Sequence, residues 1–135
     1  MISGTEQKRT ILLIDDEKPL MESVKVNLEF AGYEVVMAQG GTEGLKIAKE
    51  QNPDLIMLDI MMAVIDGYHV CRMLKFGGAH KDTPVIVLSA RSQQADKETA
   101  RKVGADAYIV KPFEWDELLR TIERLLGRRD LNYIA

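Results

Sequence analysis

Cysteine occurs once in the 135 residues, as Cys71, which leaves no disulfide framework and no thiolate metal cluster. A lone thiol of this kind is read as a small buried hydrophobe. Basic charge does not predominate either. The chain has 18 Lys and Arg against 21 Asp and Glu, for a net charge of -3 and a pI near 5.4. That balance offers nucleic acid no electrostatic footprint, so direct nucleic-acid binding by this domain is not expected. No apolar run approaches the ~20 residues that span a bilayer. The opening MISGTEQKRT also lacks the apolar segment of a signal peptide. Repeats and low-complexity segments are absent. The expectation is a cytoplasmic, membrane-free protein.

With 46% apolar and 29% charged residues, the composition is that of a globular chain long enough for one domain. Short apolar runs alternate with longer stretches of helical period. The runs are Ile11–Ile14, Glu34–Ala38, Leu55–Leu58, Val85–Leu88 and Ala107–Val110. The first, third and fourth are continuously apolar rather than alternating, as strands covered on both faces should be. Between them, Leu20, Val24 and Leu28 recur at i, i+4 and i+8, with Gly32 as a stop. Further helices are predicted from Thr42 to Glu50 and from Gly67 to Phe76, the latter with Asp66 as N-cap. A fourth is predicted after Ser92 as cap, and a last one carries the stripe Leu118, Leu119, Ile122, Leu125 and Leu126. Strands alternating with helices imply right-handed βαβ units and a parallel sheet flanked by helices.

The segment DLIMLDIMMAVIDG, residues 54–67, sets a carboxylate, Asp59, at the end of an apolar run. Burying that charge is costly unless a partner compensates. The other strands also end on polar groups: Asp15 and Asp16 after the first, Ser89 after the fourth, Lys111 after the fifth. In an open parallel sheet those ends frame the ligand crevice. Carboxylates converging there repel unless a cation sits among them, and oxygen-only ligation suits a hard divalent ion, Mg²⁺ first and Mn²⁺ as an alternative.

From about Thr10 to Leu126 the chain resembles the receiver domain of bacterial two-component response regulators, of the chemotaxis-regulator-like kind. The residues that carry the likeness are LLIDDE (Leu12–Glu17), PDLIMLDIMM with IDG (Pro53–Gly67), VIVLSA (Val85–Ala90) and GADAYIVKPF (Gly104–Phe113), in order and at the family's spacing. The resemblance implies a doubly wound, flavodoxin-like (βα)5 fold with five parallel strands in the order 2-1-3-4-5. It implies a receiver over residues 10–127, a flexible segment at 1–9 and a tail or linker start at 128–135. Asp59 would be the phosphoacceptor, taking a phosphoryl group from a histidine kinase or a histidine phosphotransfer protein. Asp16, Asp59 and the Met61 backbone carbonyl would hold Mg²⁺, with Asp15 acting through water. Lys111 would pair with Asp59, Ser89 would donate to a phosphoryl oxygen, and Tyr108 would turn inward in response. The face formed by the fourth helix, fifth strand and fifth helix would then act on a downstream target or a fused output domain.

Alternatives attach to single residues. Asp15-Asp16 taken alone reads as a helix cap, and a core aromatic is the competing reading of Tyr108. His69 and His80 have no acidic or cysteine partner at metal spacing and are expected at the surface. Gly40-Gly41-Thr42-Glu43-Gly44 lacks the lysine of a phosphate loop and reads as helix punctuation. A small-molecule aspartyl phosphatase, the enzyme rival, wants a second aspartate where Met61 stands. A pseudo-receiver would have no need of Asp15, Asp16, Asp59, Ser89 and Lys111 together. Ala63 replaces the family's usual proline. Ala107 and Thr121 replace the acid and arginine of the DNA-binding winged-helix subfamily's salt-bridged dimer, which is therefore not expected. Met61 and Arg91, each two residues past a site residue, are expected to tune the phosphoryl lifetime.

Overall fold

A computed structural model describes residues 8–62 and 64–134, with side chains described as far as Gly127. Five strands form one parallel sheet: β1 (Thr10–Ile14), β2 (Glu34–Ala38), β3 (Leu55–Asp59), β4 (Val85–Ser89) and β5 (Ala107–Val110). Their spatial order is β2-β1-β3-β4-β5, as the resemblance implies. Helices α1 (Lys18–Phe30), α2 (Gly41–Gln51), α3 (Gly67–Phe76), α4 (Gln94–Lys102) and α5 (Trp115–Ile134) make the connections and the C-terminal end.

The uninterrupted apolar runs are explained by two cores. Strand side chains alternate across the sheet, so Ile11, Leu13, Met57 and Ile86 join α1 and α5 on one face. Leu12, Ile14, Ile56 and Leu58 join α2 and α3 on the other. Each fully buried Leu or Ile contributes roughly 1.5–3 kcal/mol, which is why β1, β3 and β4 tolerate no polar interior residue. Local signals begin and end the helices. Proline opens α1, the Asp66 carboxylate accepts the His69 N–H at 3.0 Å to cap α3, and Asn52 closes α2 in the left-handed conformation with φ 48°. Gly40, at φ 119°, precedes α2, and Glu43 accepts the Gln39 N–H at 2.8 Å, so this glycine segment punctuates a helix as expected. The Cys71 thiol is fully buried and donates to the Val103 carbonyl; burial pushes its pKa up to about 12.

Two expectations need correction. Ser92 does not cap α4, which starts after Gln93 without a side-chain cap. His80 is not a surface residue: it is 7% exposed, tucked beside Leu45 and Leu74 where the α3–β4 connection folds back over α2 and α3. His69 is exposed, as expected. The backbone of α5 continues to Ile134. Ala63 and residues 1–7 lie outside the described residues.

Candidate functional site

Parallel register brings the polar strand ends together. Ile14 pairs with Leu58, Asp59 with Leu88, and Ser89 with Val110. Residues 15, 59, 89 and 111 therefore lie together at the carboxyl end of the sheet, where the strands finish. Asp15, Asp59 and Ser89 are 2%, 3% and 0% exposed. Buried polar groups need partners, and each has one. Asp15 accepts the Glu17 N–H at 2.9 Å, Asp59 accepts the Met61 N–H at 2.9 Å, and Ser89 Oγ accepts the Arg91 N–H at 3.1 Å.

The Lys111 ammonium ties the strands to one another. It donates to Asp59 Oδ2 at 3.1 Å, to Asp15 Oδ2 at 3.2 Å and, more loosely, to Glu17 Oε1 at 3.4 Å. Burial alone would lower the lysine pKa, but the charges of Asp15 and Asp59 outweigh it and raise it, so the ammonium stays protonated. Burial in turn raises the Asp15 carboxyl, and the Glu17 N–H and Lys111 offset this only in part. The peptide bond between Lys111 and Pro112 is cis.

Carboxylate oxygens of Asp15, Glu17 and Asp59 lie within 4.8 Å of one another, a spacing that one hard cation can bridge. These hard, anionic oxygen donors fit a divalent ion of the magnesium type. Asp16 stands apart from this group. Its exposed side chain faces a cleft bordered by Gly41, Thr42, Lys46 and Met62. Glu17 was missed in the sequence, although it is the third acid of Asp15-Asp16-Glu17. Only the turn into α1 decides which of the consecutive acids reach Lys111.

Tyr108 is half-buried on β5, packed with Tyr68 against Ile60, Val87 and Ala100. Its hydroxyl donates to the Arg91 carbonyl at 2.8 Å, which places it at the loop that follows Ser89. Burial raises its pKa, and the Ser89 hydroxyl works against that.

The response regulator receiver domain profile matches residues 11–123. The chain belongs to the response regulator receiver family. Among curated relatives, the "DNA-binding dual master transcriptional regulator RpaA" of Synechocystis is 42% identical over 120 residues, covering 89% of this chain and 50% of that protein. The receiver thus spans about half the length of the curated relatives it matches. A putative response regulator from Chloroflexus aurantiacus superposes with TM-score 0.86 at 31% identity, covering 90% of this chain and 99% of that one. Response regulator TrrA of Thermotoga maritima, solved in complex with Mg(2+)-BeF, superposes with TM-score 0.79 at 36% identity, covering 87% and 98%. The receiver is accordingly a signalling module of two-component systems, with an acidic pocket suited to Mg²⁺. Among the described residues, no helix is long and apolar enough to cross a membrane.

Proposed function

We propose that this receiver is switched by transfer of a phosphoryl group to Asp59 from a phosphohistidine on a histidine kinase or phosphotransfer protein. The observation that carries the reading is the buried Asp59 carboxylate at the end of β3, 3.1 Å from the Lys111 ammonium, in a receiver fold. An oxygen of Asp59 attacks phosphorus, the P–N bond to imidazole breaks, and the imidazole leaves with the electron pair. Such transfer depends on positioning and on neutralising charge at the equatorial oxygens. Asp16, Asp59 and the Met61 carbonyl would hold Mg²⁺ or Mn²⁺, with Asp15 acting through water. The ion supplies charge neutralisation to the phosphoryl oxygens.

Lys111 pairs with one phosphoryl oxygen, and the Ser89 hydroxyl donates to another. The new group adds about -1.5 to -2 charges, enough to draw Ser89 towards Asp59 and to let Tyr108 repack. The α4–β5–α5 face then passes the change to a downstream protein or a fused output domain, in the cytoplasm. The domain itself makes no direct contact with nucleic acid, in keeping with its net charge of -3. Beyond self-phosphorylation and slow self-hydrolysis it turns over no substrate. Residues 10–127 form the receiver unit.

The test is incubation with Mg²⁺ and acetyl phosphate followed by intact mass measurement. A gain of one phosphoryl group, lost in Asp59→Asn, supports the reading. Sustained hydrolysis of small phosphate esters would replace it with an enzyme, and no uptake with a contact-only domain.

A further inference from the structure

The turn that leaves Asp59 is pressed hard against the start of α3. The Gly67 N–H donates to the Ile60 carbonyl at 3.0 Å, and a Cβ on Gly67 would stand 2.4 Å from the Asp59 carbonyl oxygen. The next residue, Tyr68, therefore rides on the phosphoacceptor's own backbone. Its ring packs on Ile60 and Ala100, and its hydroxyl reaches across to α4, donating to the Asp96 carbonyl at 3.1 Å and, more loosely, to Asp96 Oδ1 at 3.5 Å, an oxygen that asparagine would keep. Asp96 Oδ1 lies 3.8 Å from the Arg91 guanidinium, and the Arg91 N–H is the one held by Ser89 Oγ.

We infer that the Tyr68 hydroxyl is a latch that holds the first turn of α4 against α3, so that repositioning of the Ser89–Asp96 segment on loading of Asp59 must break it. The physical basis is connectivity. Ser89 and Tyr108 grip Arg91 from β4 and β5, whereas the Tyr68 hydroxyl ties the α4 turn to α3, whose start is pressed against the Asp59 and Ile60 backbone. When Ser89 is drawn towards Asp59, Arg91 is pulled with it, and the α4 turn that follows Arg91 parts from α3. A hydroxyl-to-carbonyl bond at a half-buried site opposes that parting with a fewfold bias. Tyr68 touches none of the reacting atoms and acts as a positioning residue. The link to loading rests on the phosphoacceptor reading of Asp59; the latch itself does not.

The experiment compares the full chain with Tyr68→Phe, which keeps the ring, and Asp96→Asn, which keeps the accepting carbonyl. Amide hydrogen exchange is measured without ligand, and the beryllofluoride concentration for half-saturation is measured with Mg²⁺. Tyr68→Phe should speed exchange at residues 94–97 and lower the half-saturating concentration, each about fivefold, with exchange in β1 and β3 unchanged. Asp96→Asn should stay within about twofold of the parent in both. Unchanged exchange at 94–97 in Tyr68→Phe would overturn the latch, as would faster exchange spread over the whole sheet. An equal effect from Asp96→Asn would assign the tie to the ion pair with Arg91 and overturn it too. Should the parent chain itself fail to take up beryllofluoride, the phosphoacceptor reading falls, while the exchange data still decide the latch.

Discussion

Lys111 Nζ stands 3.1 Å from Asp59 Oδ2 across a sequence separation of 52 residues, with the lysine side chain 13% exposed and the aspartate's 4%. At that burial the pair is only weakly screened by solvent, and Asp15 and Glu17 crowd the same ammonium. The site therefore holds more negative than positive charge when no metal is bound.

Opposite signs of stability change are expected from the two partners. In magnesium-free buffer, Lys111→Met should destabilise the fold by about 3 kcal/mol, because Asp15 and Asp59 are left buried without their cation. Added Mg²⁺ should restore part of the loss. Asp59→Asn should stabilise by roughly 1 kcal/mol, since it relieves repulsion while Lys111 keeps Asp15. Urea unfolding with and without Mg²⁺ checks all three. A Lys111→Met protein as stable as its parent would show that the ammonium carries no such duty.

Gly67→Ala tests how closely the helix start bears on the site. The added Cβ would meet Asp59 and Ile60 backbone atoms at 2.4 Å, and backbone cannot swing aside as a side chain does. A destabilisation of about 2–3 kcal/mol is expected, with weaker phosphoryl uptake at Asp59. Thermal melting and intact mass after acetyl phosphate treatment measure the two effects.

His80 gives the fold a pH limb of its own. Burial lowers its pKa below the ordinary 6.5, so the unfolded chain binds the proton more readily than the folded one. Stability from this group is fully present above pH 6.5 and is lost as pH falls from there towards the folded value. His80→Gln removes that titration, so the decline in urea midpoint between neutral pH and pH 5.5 should become shallower than in the parent.

Met61 and Arg91 stand two residues past Asp59 and Ser89, and both side chains are about half exposed. Replacing them opens the path for hydrolytic water, which a closed site excludes. Met61→Asn and Arg91→Ala should each shorten the acyl-phosphate lifetime by more than about twofold, followed by loss of the phosphoryl mass with time. Lifetimes inside that margin would remove these two residues from the control of hydrolysis.

Local and periodic features of the chain determine a good deal by themselves. Continuous apolar runs at 11–14, 55–58 and 85–88 point to strands covered on both sides, and turn chemistry starts α3 at Asp66 and ends α2 at Asn52. Polar residues at the ends of those runs already mark the crevice, because nothing in a buried strand would otherwise accept them. Tertiary structure alone decides which neighbours of those residues count. Glu17 rather than Asp16 joins the carboxylates around Lys111, through the turn into α1. His80 goes inside because its connection folds back over α2 and α3, and Tyr68 meets Asp96 across 28 positions. Those outcomes depend on side-chain direction and on contacts between elements, whereas periodicity reports only which face of an element is apolar.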